Sequence, residues 1–455
     1  MKLSNILKNI NYIKILNEQN IEINNVKTDT RKIEENDMFV GIKGEKFNGN
    51  LFFKEAYLNG ASICVLDEEP EKLHEFLKEN NKTAIIVKDS IKFLGELAKY
   101  KRDLFKGKVI AITGSSGKTS TKDMLGSILA TKYNIYKTEG NLNNHIGLPL
   151  TILDAPLNSD YWILEMGMNH LKEISYLSKI AQPNIAVISN VGTSHIGNLG
   201  SRKNILKAKL EILDGLKEDG TILINNDNDL LCKWAKKNNK KYNIKTIGIE
   251  NISDFNATDI KLKEEYSIVK INNKKITINV GGIHFIYNAL MGYALGSICN
   301  LKPKEIQDGI KRLDLSKNRM NIINKDNIKI IDDSYNSNPD SCKYSLKFLG
   351  NFEDRKIAVL GTMKELGKYS KKYHKLLGNI IIDEKINILI TVGEYSNLIN
   401  KRAEKLGFSK KNSYHFNNNI DAINKINEIK NKNDIILIKA SNSMNFKEIV
   451  EKTSM

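Results

Sequence analysis

The stretch Lys108 to Leu125, KVIAITGSSGKTSTKDML, constrains the chain more than any other. A short apolar run, Val109 to Ile112, predicts a buried strand. Gly114, Ser115, Ser116 and Gly117 break that strand, and Lys118, Thr119 and Ser120 open an amphipathic helix. A strand that stops at glycines and resumes as a helix turns backbone N–H groups and the positive helix end toward one spot, and the favoured occupant is an anion. The Lys118 ammonium would reach the β- and γ-phosphates of a nucleotide, and the Thr119 hydroxyl the magnesium that travels with it. The strict G-x-x-x-x-G-K-[ST] spacing is not met, because Ile112 stands where the first glycine belongs; the chain carries the tighter T-G-x-x-G-K-T. The plain alternative is a Gly/Ser turn with an incidental lysine. A strand before and a helix after speak against it.

With 455 residues the chain has room for about two to four domains, each with its own core. No apolar run approaches a membrane span, the N-terminus lacks a signal peptide's apolar stretch, and Cys64, Cys232, Cys299 and Cys342 show no metal-type spacing. These features predict a cytoplasmic protein with reduced thiols and no membrane insertion. The net charge of +17 is spread along the chain. Its densest run, Lys236 to Lys245, holds a single aromatic, Tyr242, and reads as solvated surface rather than a nucleic-acid groove. An anionic small-molecule substrate suits the charge equally well.

The fold class predicted is α/β in three domains: residues 1–84, 85–314 and 315–455. The first is a small α/β unit with strands at Met38 to Ile42 and Ser62 to Leu66, a helix over Phe53 to Asn59, and the turn-rich GEKFNGN between. The second alternates helices with strands at Val109 to Ile112, Trp162 to Leu164, Ile185 to Ser189 and Ile222 to Ile224, which implies a mainly parallel sheet covered on both faces. The third places strands at Ile328 to Ile331, Ile357 to Leu360, Ile388 to Val392 and Ile435 to Ile438. Spacings of roughly 25 to 50 residues leave room for crossover helices, as in a doubly wound, Rossmann-like domain. No internal repeat is visible.

Glu165 in YWILEMGMN sits just past an apolar strand, where a carboxylate beside a phosphate loop holds a nucleotide-bound magnesium. Capping of the next helix is the plainer role. His195, in NVGTSHIGNLGS, follows another strand of the same sheet edge and is a candidate second metal ligand. In SRKNILKAKLEILDGL, Ile205, Lys209, Ile212 and Leu216 fall on one helical face, so a lysine interrupts an apolar stripe. Such a lysine must be paired, neutralised or modified. Snorkelling from the helix edge is the ordinary explanation; carbamylation by carbon dioxide would convert it to a carboxylate able to bind a hard cation. Periodicity does not choose between them.

Nearly end to end, the chain resembles the Mur ligases. ITGSSGKTSTKDML resembles the family phosphate loop, and GNLNNHIGLPLTIL its Asn-rich substrate loop, with Asn141 and Asn144. LEMGMNHLKEISYL, ISNVGTSHIGNLGS and AKLEI resemble its metal-binding segments, and the resemblance implies that Lys209 is the family's carbamylated lysine. GGIHFIYNALMGYALG resembles the helix whose asparagine, Asn288 here, reads adenine; KNRM resembles the segment whose arginine, Arg319 here, meets the nucleotide at the hinge. IIDDSYNSNPDS, which contains Asp333, Tyr335, Asn336 and Asn338, is close to the pattern of the members that add D-alanyl-D-alanine to UDP-N-acetylmuramoyl tripeptide. VLGTMKELG, His374 and ILIKAS follow in the expected order, and TDTR and GEKFNGNLF resemble the UDP-recognition elements, with Thr30, Arg31 and Asn48. Departures are Thr30 for serine, Asn48 and Asn50 for Asp and His, Thr362 for an acid, Ala440 for glycine, and Asn442 for the arginine of K-G-S-R.

The resemblance therefore implies an ATP-dependent ligase of cytoplasmic peptidoglycan precursor synthesis. Its first domain would bind the UDP-muramoyl substrate, its second ATP and its third the incoming D-alanyl-D-alanine. Gly114, Ser115, Ser116, Gly117, Lys118, Thr119, Ser120, Asn288, Arg319 and Asp333 would bind the nucleotide. Thr119 and Glu165 would hold one Mg2+, His195 and carbamylated Lys209 a second, and Lys118, Lys209 and His195 would be the catalytic set. It further implies a monomer that closes about hinges near 84 and 315. Two rivals are another ligase of the family, diamino-acid-adding or folylpolyglutamate synthetase-like, and a non-catalytic nucleotide-binding regulator. DDSYNSNP argues against the first, and intact Lys118, Glu165, His195 and Lys209 against the second.

Overall fold

The computed structural model describes residues 1–313 and 318–454. The hinge expected near 315 lies outside the described residues. Three sheet-containing domains follow one another along the chain. The first sheet runs in the order Lys14–Leu16, Thr83–Ile86, Ile63–Leu66, Met38–Val40, Val26–Lys27. Only its Lys14–Leu16 edge is antiparallel. Helix Phe53–Leu58 forms where its sequence predicts.

The central sheet has nine strands, and the strand Lys108–Thr113 is third from its Ile135–Lys137 edge. Tyr161–Glu165 lies on one side and Ile185–Ile188 on the other, both parallel to it. Chain order jumps across Lys108–Thr113 at this point, so the loops leaving the three carboxyl ends diverge and open a crevice. Thr221–Asn225 and Asn243–Gly248 extend the parallel part, and Ile135–Lys137 closes the other edge. All five residues of Tyr161–Glu165 and all four of Ile185–Ile188 are buried, as expected for strands covered on both faces. Beyond Asn243–Gly248 the sheet turns antiparallel through Phe255–Leu262, Ser267–Ile271 and Lys274–Ile278. This meander was not predicted from sequence. Its strands alternate short buried and exposed positions, with too few apolar residues to stand out.

The third sheet runs Asn321–Lys325, Ile328–Asp332, Ile435–Lys439, Lys356–Gly361, Ile388–Val392, Ser413–Phe416. Only the first pair is antiparallel. The carboxyl ends of Ile328–Asp332, Ile435–Lys439 and Lys356–Gly361 face the central crevice, and the two domains meet there through polar groups. Thr193 donates through N and Oγ1 to Asp340 Oδ2 at 2.6 and 2.8 Å. Gly197 N donates to Glu365 O at 3.0 Å, and Tyr369 Oη to Gly200 O at 2.6 Å. No helix among the described residues is long and apolar enough to cross a membrane.

One buried cation secures the floor of the central domain. Arg102, 2% exposed, lies in the last turn of the helix Ser90–Leu104 and has no carboxylate partner among the described residues. Its Nε donates to Ala181 O at 2.7 Å and its Nη2 to Gln182 O at 3.0 Å. These are the last carbonyls of helix Glu173–Ala181, where the helix dipole favours positive charge. Phe105, beneath the guanidinium, stacks on Trp162 with ring centroids 3.7 Å apart. Arg102→Met should cost about 2 to 4 kcal/mol, because it leaves those carbonyls buried without donors. The check is the urea midpoint followed by tryptophan fluorescence; an unmoved midpoint would remove the guanidinium from this account.

Candidate active site

The site begins at the end of the strand Lys108–Thr113. Gly114 is obligatory there, since a Cβ would lie 1.9 Å from Ser189 Oγ on the neighbouring strand's exit loop. Gly117, at φ +77°, takes the left-handed conformation that turns the loop into helix Lys118–Leu129. The loop is braced from the side by Asn190, whose Oδ1 accepts from Ser115 N and Ser116 N, both at 3.0 Å. Its Nδ2 donates to Ser116 Oγ at 2.8 Å. Ser194 Oγ donates to Ser115 O at 2.6 Å. With the loop so fixed, the unpaired N–H groups of the first helical turn face the crevice. Lys118 bends back across the loop and donates from Nζ to Gly114 O at 3.0 Å. Burial, opposed by Glu165 and Glu365, holds its ammonium below the usual lysine range.

Register explains why Glu165 stands beside Thr119. Ile112 pairs with Glu165, so that carboxylate emerges level with the loop. Thr119 Oγ1 donates to Glu165 Oε2 at 2.8 Å, and Asn143 Nδ2 donates to Glu165 Oε1 at 2.8 Å. A buried hydroxyl and carboxylate side by side are hard oxygen donors suited to an ion that arrives on phosphate. Among the described residues no three His, Cys, Asp or Glu side chains cluster as a ready metal cage. His195, at φ +60°, brings Nδ1 to 2.6 Å from Glu365 Oε2 of the C-terminal domain. That contact draws the Glu365 carboxyl below its ordinary range.

Lys209 is 2% exposed, which excludes snorkelling. Helix Arg202–Leu210 ends one residue later and passes into a tighter turn over Glu211–Gly215, so the predicted stripe is continued by a different helix geometry. Burial, and after it the charge of Lys118, push the Lys209 amine well below the usual lysine range. The amine has no ion-pair or hydrogen-bond partner among the described residues. A buried amine without a partner bears the full desolvation cost of its charged form.

A cavity of about 540 Å³ extends from this point between the central and C-terminal domains. It is lined by Ser115, Ser116, Gly117, Lys118, Thr119, Ser120, Asn141, Asn144, Glu165 and His195. Asn288, Arg319, Asp333, Tyr335, Asn336 and Asn338 complete the predicted residues that it gathers. Asn288 Oδ1 accepts from Thr121 Oγ1 at 3.1 Å, tying helix Ile283–Ile298 to the phosphate-loop helix. The Arg319 guanidinium lies 3.8 Å above the Tyr335 ring. Asp333 is bound by Lys439 Nζ and by Ser345 Oγ. Asn338 and Asn144 both cap helices, Asn338 Oδ1 accepting from Ser341 N at 2.9 Å and Asn144 Oδ1 from Gly147 N at 2.8 Å.

Gly114 lies beneath the loop, and Lys209 lies outside the lining. Thr30, Arg31 and Asn48 also stand apart from the cavity, on the first domain. There Thr30 Oγ1 donates to Glu55, Arg31 pairs with Asp29, and Asn48 Nδ2 donates to Glu68. Sequence reading missed Asn143, Asn190 and Glu365. Each lies inside a segment already singled out, one to five residues from the residue chosen, and only the paired geometry separates it from its neighbours. His374 is fully buried and structural, with Nε2 accepting from Met363 N at 3.0 Å.

Three family models match in succession: the Mur ligase family catalytic domain over residues 22–102, the Mur ligase middle domain over 112–296, and the Mur ligase glutamate ligase domain over 318–442. The UDP-N-acetylmuramoyl-tripeptide--D-alanyl-D-alanine ligase of Bacillus subtilis is 38% identical, over 94% of this chain and 93% of its own length. The enzyme of the same name from Haemophilus influenzae is 30% identical over 99% and 98%. Among solved structures, MurF from Acinetobacter baumannii superposes with a TM-score of 0.86 at 28% identity, over 94% of this chain and 93% of that one. The MurF ligase from Thermotoga maritima in complex with ADP gives 0.83 at 27%, over 94% and 97%. The chain belongs to the Mur ligase family.

Proposed function

We propose that this ATP-dependent ligase joins D-alanyl-D-alanine to the terminal carboxylate of a UDP-N-acetylmuramoyl tripeptide, as a cytoplasmic monomer in peptidoglycan precursor synthesis. One observation carries the reading. The braced phosphate loop and the Thr119–Glu165 pair open on a crevice that a second domain completes with His195–Glu365, and the buried Lys209 amine stands behind its lining, in the field of Lys118. Relatives named for this reaction, over nearly the whole chain, support the substrates.

A carboxylate does not condense with an amine at neutral pH without a leaving group. A tripeptide carboxylate oxygen attacks the γ-phosphorus, the bond to the β–γ bridging oxygen breaks, and ADP departs. The dipeptide amine then attacks the acyl carbon of the acyl phosphate, phosphate leaves with the bonding pair, and the nitrogen loses its proton to the medium. The protein's part is positioning and charge stabilisation. Lys118 neutralises the migrating phosphoryl group. The loop N–H groups fix the phosphates, and Asn288 and Arg319 orient the nucleoside. Thr119 and Glu165 would hold Mg2+, and His195 with carbamylated Lys209 would hold a second; such ions offset the repulsion between phosphate and carboxylate.

Residues 1–84 are assigned to the UDP-muramoyl end, 85–314 to ATP and 315–455 to the dipeptide, with closure bringing Thr30, Arg31 and Asn48 toward the crevice. Phosphate release with UDP-muramoyl tripeptide and a panel of amine acceptors tests the reading. Release should require D-alanyl-D-alanine. Release with a diamino acid or glutamate instead would assign a sister activity, and none with any acceptor would favour a regulator.

Lys118→Ala should lower kcat on the order of a thousandfold or more, as loss of a phosphoryl clamp does. A near-normal rate would take the loop lysine out of the mechanism. Lys209→Ala should be similarly poor and partly restored by short carboxylates such as acetate or formate. Rescue that fails at every carboxylate tried would count against the carbamate.

A further inference from the structure

We propose that Lys364, with the Ser441 hydroxyl beside it, binds the free carboxylate of the incoming dipeptide; this rests on the ligase reading above. The phosphate loop opens on two sides. Away from the Asn288 side lies a second cavity, of about 260 Å³, which shares Lys118 and His195 with the first. Its far wall is built by the loops that follow Lys356–Gly361 and Ile435–Lys439. These strands are parallel neighbours, with Leu360 opposite Lys439, so their exit loops converge on one spot. Lys364 N donates to Ser441 Oγ at 2.8 Å, which joins the two loops and leaves the serine O–H free to donate.

With the nucleotide on the Asn288 side, this second cavity, which borders Lys118 and His195, is left for the amine. An extended dipeptide spans roughly 7 Å, so its carboxylate is carried away from Lys118 toward the far wall. A carboxylate leaving water there requires a cation or several donors. The cavity's charged residues are Lys118, His195, Glu365 and Lys364. Lys118 bends over the phosphate loop, and His195 and Glu365 are engaged with one another at 2.6 Å. Asn442, on the same wall, is uncharged, and its Nδ2 donates to Tyr335 O at 3.1 Å. Lys364 remains. Its side chain is exposed at the rim, with no ion pair among the described residues.

The experiment compares D-alanyl-D-alanine with D-alanyl-D-alaninamide as acceptors, in the wild type, Lys364→Gln and the double variant Lys364→Gln/Asn442→Arg. The wild type should prefer the free acid. Lys364→Gln should raise the KM for the acid roughly 10- to 100-fold, as loss of a charged hydrogen bond does, while the amide and the KM for ATP change little. The double variant should recover part of the preference, because residue 442 lines the same wall. An acid-over-amide preference that survives Lys364→Gln overturns the assignment. A wild type that releases no phosphate with either acceptor overturns the ligase reading itself, and this inference with it.

Discussion

Two buried lysines, Lys118 and Lys209, are central to the electrostatics of the crevice. Burial lowers both amines, and the charge of Lys118 lowers Lys209 further. Arg319 sets a second positive charge against Lys118, with Glu165 and Glu365 opposing. Like charges gathered in a poorly solvated cleft are unfavourable until anions arrive, and the same low dielectric then makes the anions' attraction strong. The arrangement is kept because the groups are anchored elsewhere. Register fixes Glu165, Asn190 braces the loop from beside it, and the core beneath helix Arg202–Leu210 holds Lys209. Anion binding thus relieves a strain that folding has already imposed.

The C-terminal domain completes this field through hydrogen bonds between loops, Thr193 to Asp340, Gly197 to Glu365 and Tyr369 to Gly200. Beside them runs an apolar seam, in which Phe348 packs against Gly281 and Gly282 ahead of helix Ile283–Ile298. The same contacts carry Glu365 to His195 and Arg319 to the cavity wall, so docking and assembly of the charge set are one event. A site divided this way forms only when both halves are in place.

The sequence foretold those parallel strands that are compact apolar runs with a crossover helix behind them, as Val109 to Ile112 and Ile435 to Ile438 illustrate, but not shorter or more polar ones such as Ile135–Lys137, Asn243–Gly248 and Ser413–Phe416. The meander from Phe255 to Ile278 escaped because its exposed positions carry Lys, Asn and Asp, which dilute any alternation. In the site, Lys118, Thr119 and Glu165 were legible since strand ends and a phosphate loop fix where they emerge. Asn190 and Glu365 were not. Their importance lies in partners 74 and 170 positions away in the chain, the loop serine and the histidine they touch, and no local pattern encodes such pairs. The case of Lys209 falls between: the interrupted stripe located it, and only its burial in the fold decided that the amine does not escape to solvent.

The first domain's departures from the family pattern make sense as one adjusted network. Asn48 Nδ2 donates to Glu68, and its Oδ1 accepts from Asn50 N at 3.1 Å and Asn50 Nδ2 at 2.9 Å. Asn50 in turn donates to Asp67 Oδ1 at 2.7 Å and accepts from Asp67 N at 3.1 Å. An aspartate at 48 could accept but not donate, and beside Glu68 it would add like-charge repulsion. A histidine at 50, a position fully buried here, would present its one donor and one acceptor on diverging ring nitrogens, not side by side as the amide does for the Asp67 carboxylate and backbone N–H. Each asparagine thus fits the other and the two acids after strand Ile63–Leu66.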